Sequence, residues 1–385
     1  MRTRAVVVSA VAVVLLGALA AVAVPVVRSS DVVTTEIRVA PDDPVPPATA
    51  PLPADVRPLW TVPSTGAAGP VEGPTAVATG TDRVAGLDPA TGRERWSYRR
   101  GNARLCSSAL RDGVVIALFA KSHGCRDLVG LDAATGGRRW TRTVEFTTEA
   151  VLSSGPSVAV ATGGSKMIAV DPGGGLNRWT YTAAGCRLDL PVAGRVAVAT
   201  IAHCAGEDRL VVHDPYVDRQ PWVRAQPAGS DPRVVAAGDE VAVLSRSDGT
   251  PTLTGYLPRE TEGNKQAATR AGAVRDARLA YRTGGPLATV TGVQVLVLWT
   301  GERLVAVGRR TRQVLWTAAA AGPPALVDGQ LLVVDAGGFT ARPVLQGTPA
   351  TRVLVTGDAV PAPAALSRIG RLVVVAGAGR LSAYG

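Results

Sequence analysis

Val84-Ala85-Gly86-Leu87-Asp88-Pro89-Ala90-Thr91-Gly92-Arg93-Glu94-Arg95-Trp96 reads as a strand, a tight turn and a second strand. The apolar alternation before Asp88 suits a pleated strand with one buried face. Asp88 can accept hydrogen bonds from amides of its own turn, Pro89 presets φ, and Gly92 accepts positive φ. The arrangement recurs. Leu128–Trp140 reads LVGLDAATGGRRW, Met167–Trp179 reads MIAVDPGGGLNRW, Leu210–Trp222 reads LVVHDPYVDRQPW and Leu304–Trp316 reads LVAVGRRTRQVLW. This assigns Asp88, Asp132, Asp171 and Asp214 to turns, with Gly92 and Gly136 as turn glycines. Trp96, Trp140, Trp179, Trp222 and Trp316 then stand at one fixed place, where a large aromatic can pack between neighbouring copies.

Weaker copies fill the gaps. Leu253–Lys265 keeps the apolar start, with Lys265 in the Trp position, and Phe339–Thr351 is weaker still. Leu59-Trp60 ends a copy whose beginning is supplied by Arg380–Gly385 at the other terminus. Repeat ends at 60, 96, 140, 179, 222, 265, 316 and 351 recur on average about every 42 residues, and a period of about 40–45 residues with four strands each marks a β-propeller. The reading is all-β, an eight-bladed propeller over 59–385 with seven blades as the alternative. Its last blade is built from both termini, so that no sheet edge is left open.

The LDPATGRERW and LDAATGGRRW segments resemble the repeats of pyrroloquinoline-quinone (PQQ) propellers, which also form the BamB-type propellers of outer-membrane β-barrel assembly. The resemblance covers roughly 59–385 and implies the fold more specifically than the function. It raises a quinoprotein dehydrogenase, which needs a quinone site, oxygen ligands for Ca²⁺ and a carboxylate base. In such enzymes the quinone lies near a disulfide between adjacent cysteines, and this chain has no adjacent pair. One Asp per turn on separate blades reads as structural rather than as a metal site. GxSxG, P-loop, Rossmann and EF-hand signatures are missing from the sequence. The expectation is a non-enzymatic member with no catalytic, cofactor or metal residues and no cofactor.

Cys106 and Cys125 fall within one repeat, and Cys186 and Cys204 within another. The repeat register pairs them as two disulfides, each inside its own blade. Zinc is the rival, because His123 and His203 sit beside cysteines, but no CxxC spacing supports it.

The remaining features concern address. Arg2 and Arg4 precede an uncharged, mostly apolar run over 5–27, and about 20 apolar residues cross a bilayer as a helix. The expected order is a cytoplasmic tip at 1–4, a transmembrane signal anchor at 5–27, a Pro-rich extracytoplasmic linker at 28–58 acting as a spacer, and the propeller at 59–385. A cleaved signal peptide, giving a secreted protein, is the alternative. The net charge is +10, of which Arg2, Arg4 and Arg28 supply three, and 38 of the 41 basic residues are Arg. Few aromatics outside the repeat argue against nucleic acid as a partner. The functional expectation is a monomeric, membrane-anchored scaffold in the cell envelope that binds an unidentified envelope protein. A ligand- or glycan-binding sensor is the alternative.

Overall fold

The structure is a computed structural model that describes residues 31–41, 51–65, 75–121, 124–147, 149–261, 265–335, 337–349, 351–357, 360 and 365–385. The segment expected to span the membrane, and His123, lie outside the described residues. Among those described, no helix is long and apolar enough to cross a bilayer.

Eight sheets follow one another along the chain and form an eight-bladed propeller. Blade 1 covers 76–100, blade 2 104–143, blade 3 151–182, blade 4 186–225, blade 5 233–275, blade 6 288–319, blade 7 325–355 and blade 8 365–384. In a complete blade the strands run outward in order A, B, C, D, and the A strands of successive blades lie side by side around the centre. This meander places the A–B and C–D turns at one face of the ring, here the turn face. The B–C turns and the links between blades lie at the other.

The B strands carry the most continuous apolar runs because both of their sides are covered. Val114–Ala120 is buried at every position. Among the described residues, eight apolar clusters make up the core, each centred on two consecutive blades. One of them joins Val374, Leu381 and Ala383 of blade 8 to Ala76, Ala85 and Leu87 of blade 1, so the ring has no dry seam missing. Closure comes from the two ends of the chain. Pro58–Pro63 is the outer strand of blade 8, antiparallel to Arg380–Tyr384, with Trp60 opposite Ala383 and Thr61 opposite Ser382.

The described parts of the stretch read as a spacer are not free chain. Thr35–Arg38 pairs antiparallel with Glu94–Arg100 as an added outer strand of blade 1. Asp55–Val56 pairs in parallel with Thr351–Val355, outside blade 7. Backbone hydrogen bonds to outer edges hold both, and such bonds leave no side-chain pattern for a sequence reading to find.

Lys265 does not take the Trp position of blade 5. In blades 1, 2, 3, 6 and 8 a bulge precedes the Trp, which then faces a small C-strand residue: Gly86, Gly130, Ala169, Ala306 and Ala383 respectively. In blade 5 the same bulge leads to Gly272 opposite Gly255. The equivalent position is therefore Gly272, because the C–D turn has lengthened into a hairpin. Thr250–Thr261 and Lys265–Arg275 are its two strands.

Candidate interaction surface

The repeat residues build the joints between blades. Asp88 Oδ1 accepts from the amides of Ala90 and Thr91, both at 2.9 Å. Asp132 does the same for Ala134 and Thr135, Asp171 for Gly174 at 2.7 Å, and Asp214 for Tyr216 at 2.8 Å. Asp214 lies 3.6 Å from Arg219 of its own blade, and two more of these carboxylates bond arginines of their own blades, Arg139 on Asp132 and Arg178 on Asp171. Burial raises the pKa of both acids, but the arginines and turn amides outweigh it and hold the carboxyls below the usual range.

Five of the six repeat tryptophans reach the turn of the next blade. The indole N–H of Trp60 donates to Pro89 O at 2.9 Å, Trp96 to Ala133 O at 3.0 Å, Trp140 to Pro172 O at 2.9 Å, Trp179 to Asp214 O at 2.8 Å and Trp316 to Val344 O at 3.0 Å. At four of these joints, all but that of Trp179, the ring lies on the positive-φ glycine of that turn. A Cβ at Gly92, Gly136, Gly175 or Gly347 would come within 2.7 Å of the Trp from the preceding blade. Trp222 departs from this pattern because blade 5 has no repeat turn; its ring lies tilted against Tyr256, 5.4 Å between centroids.

Where blade 5 lacks its Trp, an ion pair fills the space. Arg312 stands at the turn position that Gly92 holds in blade 1, with φ of 55°. It donates to both oxygens of the largely buried Glu240, at 2.6 and 3.1 Å. A Cβ at Gly255 would overlap Glu240, and one at Gly272 would touch Arg312. The pair thus occupies the volume a Trp fills at the other joints.

Both disulfides form within their blades, Cys106–Cys125 in blade 2 and Cys186–Cys204 in blade 4. They are not equivalent. Cys186 and Cys204 are direct partners across the A and B strands, whereas Cys106 on strand A reaches past B to Cys125 on C. Glu149 lies near the blade 2 pair, but disulfide sulfurs lack the thiolate charge that a metal ligand needs.

Two histidines of blade 4 sit in opposite settings. His203 places Nδ1 2.7 Å from Asp208 and Nε2 2.9 Å from Asp189. Carboxylates only accept, so both ring nitrogens donate and the ring is an imidazolium. Burial opposes that charge, but the two carboxylates outweigh it and raise the pKa. Its stabilising contribution is complete below the unfolded-state pKa and is lost as pH rises through the folded one. His213 is buried and stacked on Trp179, 4.4 Å between centroids, and burial pushes its pKa down to about 3. The unfolded chain takes up a proton at its ordinary pKa of about 6.5. Stability tied to His213 therefore falls as pH drops from about 6.5 toward 3. His213→Phe keeps a stacked ring and is expected to flatten the loss of unfolding free energy between about pH 6 and 4, read from denaturant titrations. An unchanged slope would contradict this assignment.

The turn face also carries exposed apolar side chains. Between blades 6 and 7 lies a groove of about 640 Å³ lined by the apolar Val293, Leu326, Val344 and Leu345 together with Gln294, Asp328, Gln330 and Gln346. Val293 is 91% exposed, Leu326 50% and Leu345 54%. They come from two A–B turn regions and one C–D turn, which only the assembled ring brings together. Sequence reading missed them because Val293, Leu326 and the Val344-Leu345 pair lie in separate stretches that nothing in the repeat pattern connects.

No curated protein matches the chain. Among solved structures, BamB from Moraxella catarrhalis superposes with a TM-score of 0.51 at 16% identity, covering 86% of this chain and 99% of that one. The computationally designed Ika8 protein gives 0.58 at 13% identity over 86% and 99%. The C-terminal WD40 domain of Sif2 gives 0.51 at 9% over 86% and 98%. At these identities the structures attest the propeller fold. Residues 50–256, more than half of the chain, match the family model described as outer membrane protein assembly factor BamB. A propeller whose Asp, Gly and Trp positions are spent on joining blades is therefore a member of the BamB family.

Proposed function

We propose that the protein is a non-catalytic interaction scaffold, tethered to the outer face of the cytoplasmic membrane and binding an envelope protein. The observation that carries this reading is the exposed apolar groove of Val293, Leu326 and Leu345 on a ring whose repeat residues serve its own joints. Apolar side chains left exposed in a groove gain by being covered by a partner. In this reading the run over 5–27 is the tether. Thr34 O accepts from Gly101 N at 2.9 Å on the face opposite the groove, so a tether leaving there turns the groove away from the bilayer.

A quinone enzyme fits these residues poorly. Each cysteine is bonded to one 18 or 19 residues away inside its own blade, and the four repeat carboxylates serve their own turns. Titration with PQQ and Ca²⁺ is expected to give neither a spectral change nor dye-linked alcohol oxidation; either signal would overturn the non-catalytic reading. The groove has its own test. Val293→Asp combined with Leu345→Asp is expected to reduce recovery of a crosslinked partner at least about tenfold. Both sites are exposed, so the melting temperature should stay within about 2–4 °C of wild type. Undiminished recovery would remove the groove from the binding surface.

A further inference from the structure

The hairpin of blade 5 outgrows its blade. Its B strand, Val241–Ser247, pairs with Arg233–Ala237 on one side and, on the hairpin side, reaches no farther than Thr250–Tyr256. Beyond that point Leu257–Thr261 and Lys265–Thr269 pair solely with each other. Five residue pairs at about 3.3 Å each extend the arm roughly 17 Å past the turn face. It rises from the same face as the groove, and its blade directly precedes the two that form that groove. A two-stranded hairpin is marginal in water, and a third strand is what makes such a ribbon independently stable.

We infer that this arm is a docking strand for an extended, acidic segment of a partner protein, which pairs with the edge of Lys265–Arg275. The inference rests on the scaffold reading and names the chemistry of its partner. Two observations support it. First, the chain itself adds strands to outer edges, Thr35–Arg38 on blade 1 and Asp55–Val56 on blade 7. The longer edge of blade 5 has no such cover among the described residues. Second, Lys265–Arg275 carries Lys265, Arg270 and Arg275 and no carboxylate; Arg275, at the base of the arm, is already paired with Asp248 at 3.0 Å, which leaves Lys265 and Arg270 as the cations of the strand beyond it. A second copy laid against it would set cations against cations, whereas an acidic strand is complementary. Backbone pairing supplies the affinity and charge supplies the choice of partner.

The test uses the full-length chain and two synthetic nine-residue peptides, one alternating Glu with Val and one alternating Lys with Val. The Glu peptide is expected to bind at least about tenfold more tightly than the Lys peptide, and to slow amide hydrogen exchange across residues 265–275. A shortened variant joins Leu257 to Thr269, partners across the hairpin, through Asn-Gly. It is expected to keep its melting temperature and to lose Glu-peptide binding by at least about tenfold. Any of three peptide results would overturn the proposal: no binding of the Glu peptide, binding indifferent to peptide charge, or binding unchanged by shortening. A concentration-dependent dimer that disappears on shortening would overturn it in favour of a second copy as occupant. Crosslinking in cells separates this failure from failure of the scaffold reading. If the shortened protein still recovers the wild-type partner, the arm is excluded and the scaffold stands. If neither chain recovers a partner, the scaffold reading fails.

Discussion

Removal of residues 1–64 is expected to leave a chain that aggregates and no longer unfolds in one cooperative transition. The deletion takes away Pro58–Pro63, the outer strand of blade 8. Arg380–Tyr384 then becomes an open edge, with Leu381 and Ala383, both fully buried in the intact ring, at its surface. The turn of blade 1 also loses Trp60, whose ring covers Gly92 and whose N–H satisfies Pro89 O. An unpaired strand with apolar flanks is a template for association. Size-exclusion chromatography and thermal unfolding read the result, and a monomeric chain with an unchanged transition would contradict closure through the termini. A milder variant probes the same joint without deleting it. Thr61 and Ser382 are strand partners whose hydroxyl oxygens lie 2.9 Å apart, although 321 residues separate them in sequence. Thr61→Cys with Ser382→Cys is expected to oxidise to a disulfide that shifts mobility on non-reducing gels and raises the melting temperature. Cysteines that stay reduced under oxidising conditions would place the termini apart.

The second large effect is expected at Gly136. Its φ of 74° is a conformation that costs an L-residue about 1–2 kcal/mol. Its missing side chain also makes room for Trp96, because a Cβ would lie 2.6 Å from that ring. Trp96 is fully buried and donates to Ala133 O in the same turn, so it cannot move without loosening the joint between blades 1 and 2. Gly136→Ala should therefore destabilise by about 3 kcal/mol or more, approaching the 3–5 kcal/mol of truncating a buried Trp. Gly113→Ala is the control. Its φ of 69° is nearly the same, yet nothing lies within 4 Å of the added Cβ, so only the conformational cost of about 1–2 kcal/mol should appear. Equal losses in denaturant titrations would show that backbone strain alone, and not the fit under Trp96, governs the joint.

How much of this was legible in the sequence depends on whether side chains or backbone make the contact. The turns were readable because Asp, Pro and Gly each serve a distinct backbone need, and Trp marks the joint by its bulk. Closure was readable because Trp60 has no strand before it in its own copy and the C-terminus supplies one. The cysteine pairing followed from the repeat register, although the different routes of the two bridges did not. Hidden were the features built from backbone hydrogen bonds, since neither Thr35–Arg38 nor Asp55–Val56 has a residue pattern that announces pairing. The blade 5 hairpin was misplaced by seven residues, with Lys265 in the position held by Gly272. Glycine gives no sign of marking a joint until Arg312 and Glu240 are seen filling the space beside it. Val293, Leu326 and Leu345 are far apart in sequence and become one surface only when blades 6 and 7 stand together.

We propose that this BamB-family propeller works by holding another protein. Crosslinking in intact cells, followed by capture of the tagged full-length chain and quantification of what co-purifies, addresses it most directly. A discrete envelope protein is expected near equal stoichiometry, lost when residues 59–385 are deleted. Recovery of the chain alone under conditions that trap known envelope complexes would contradict it.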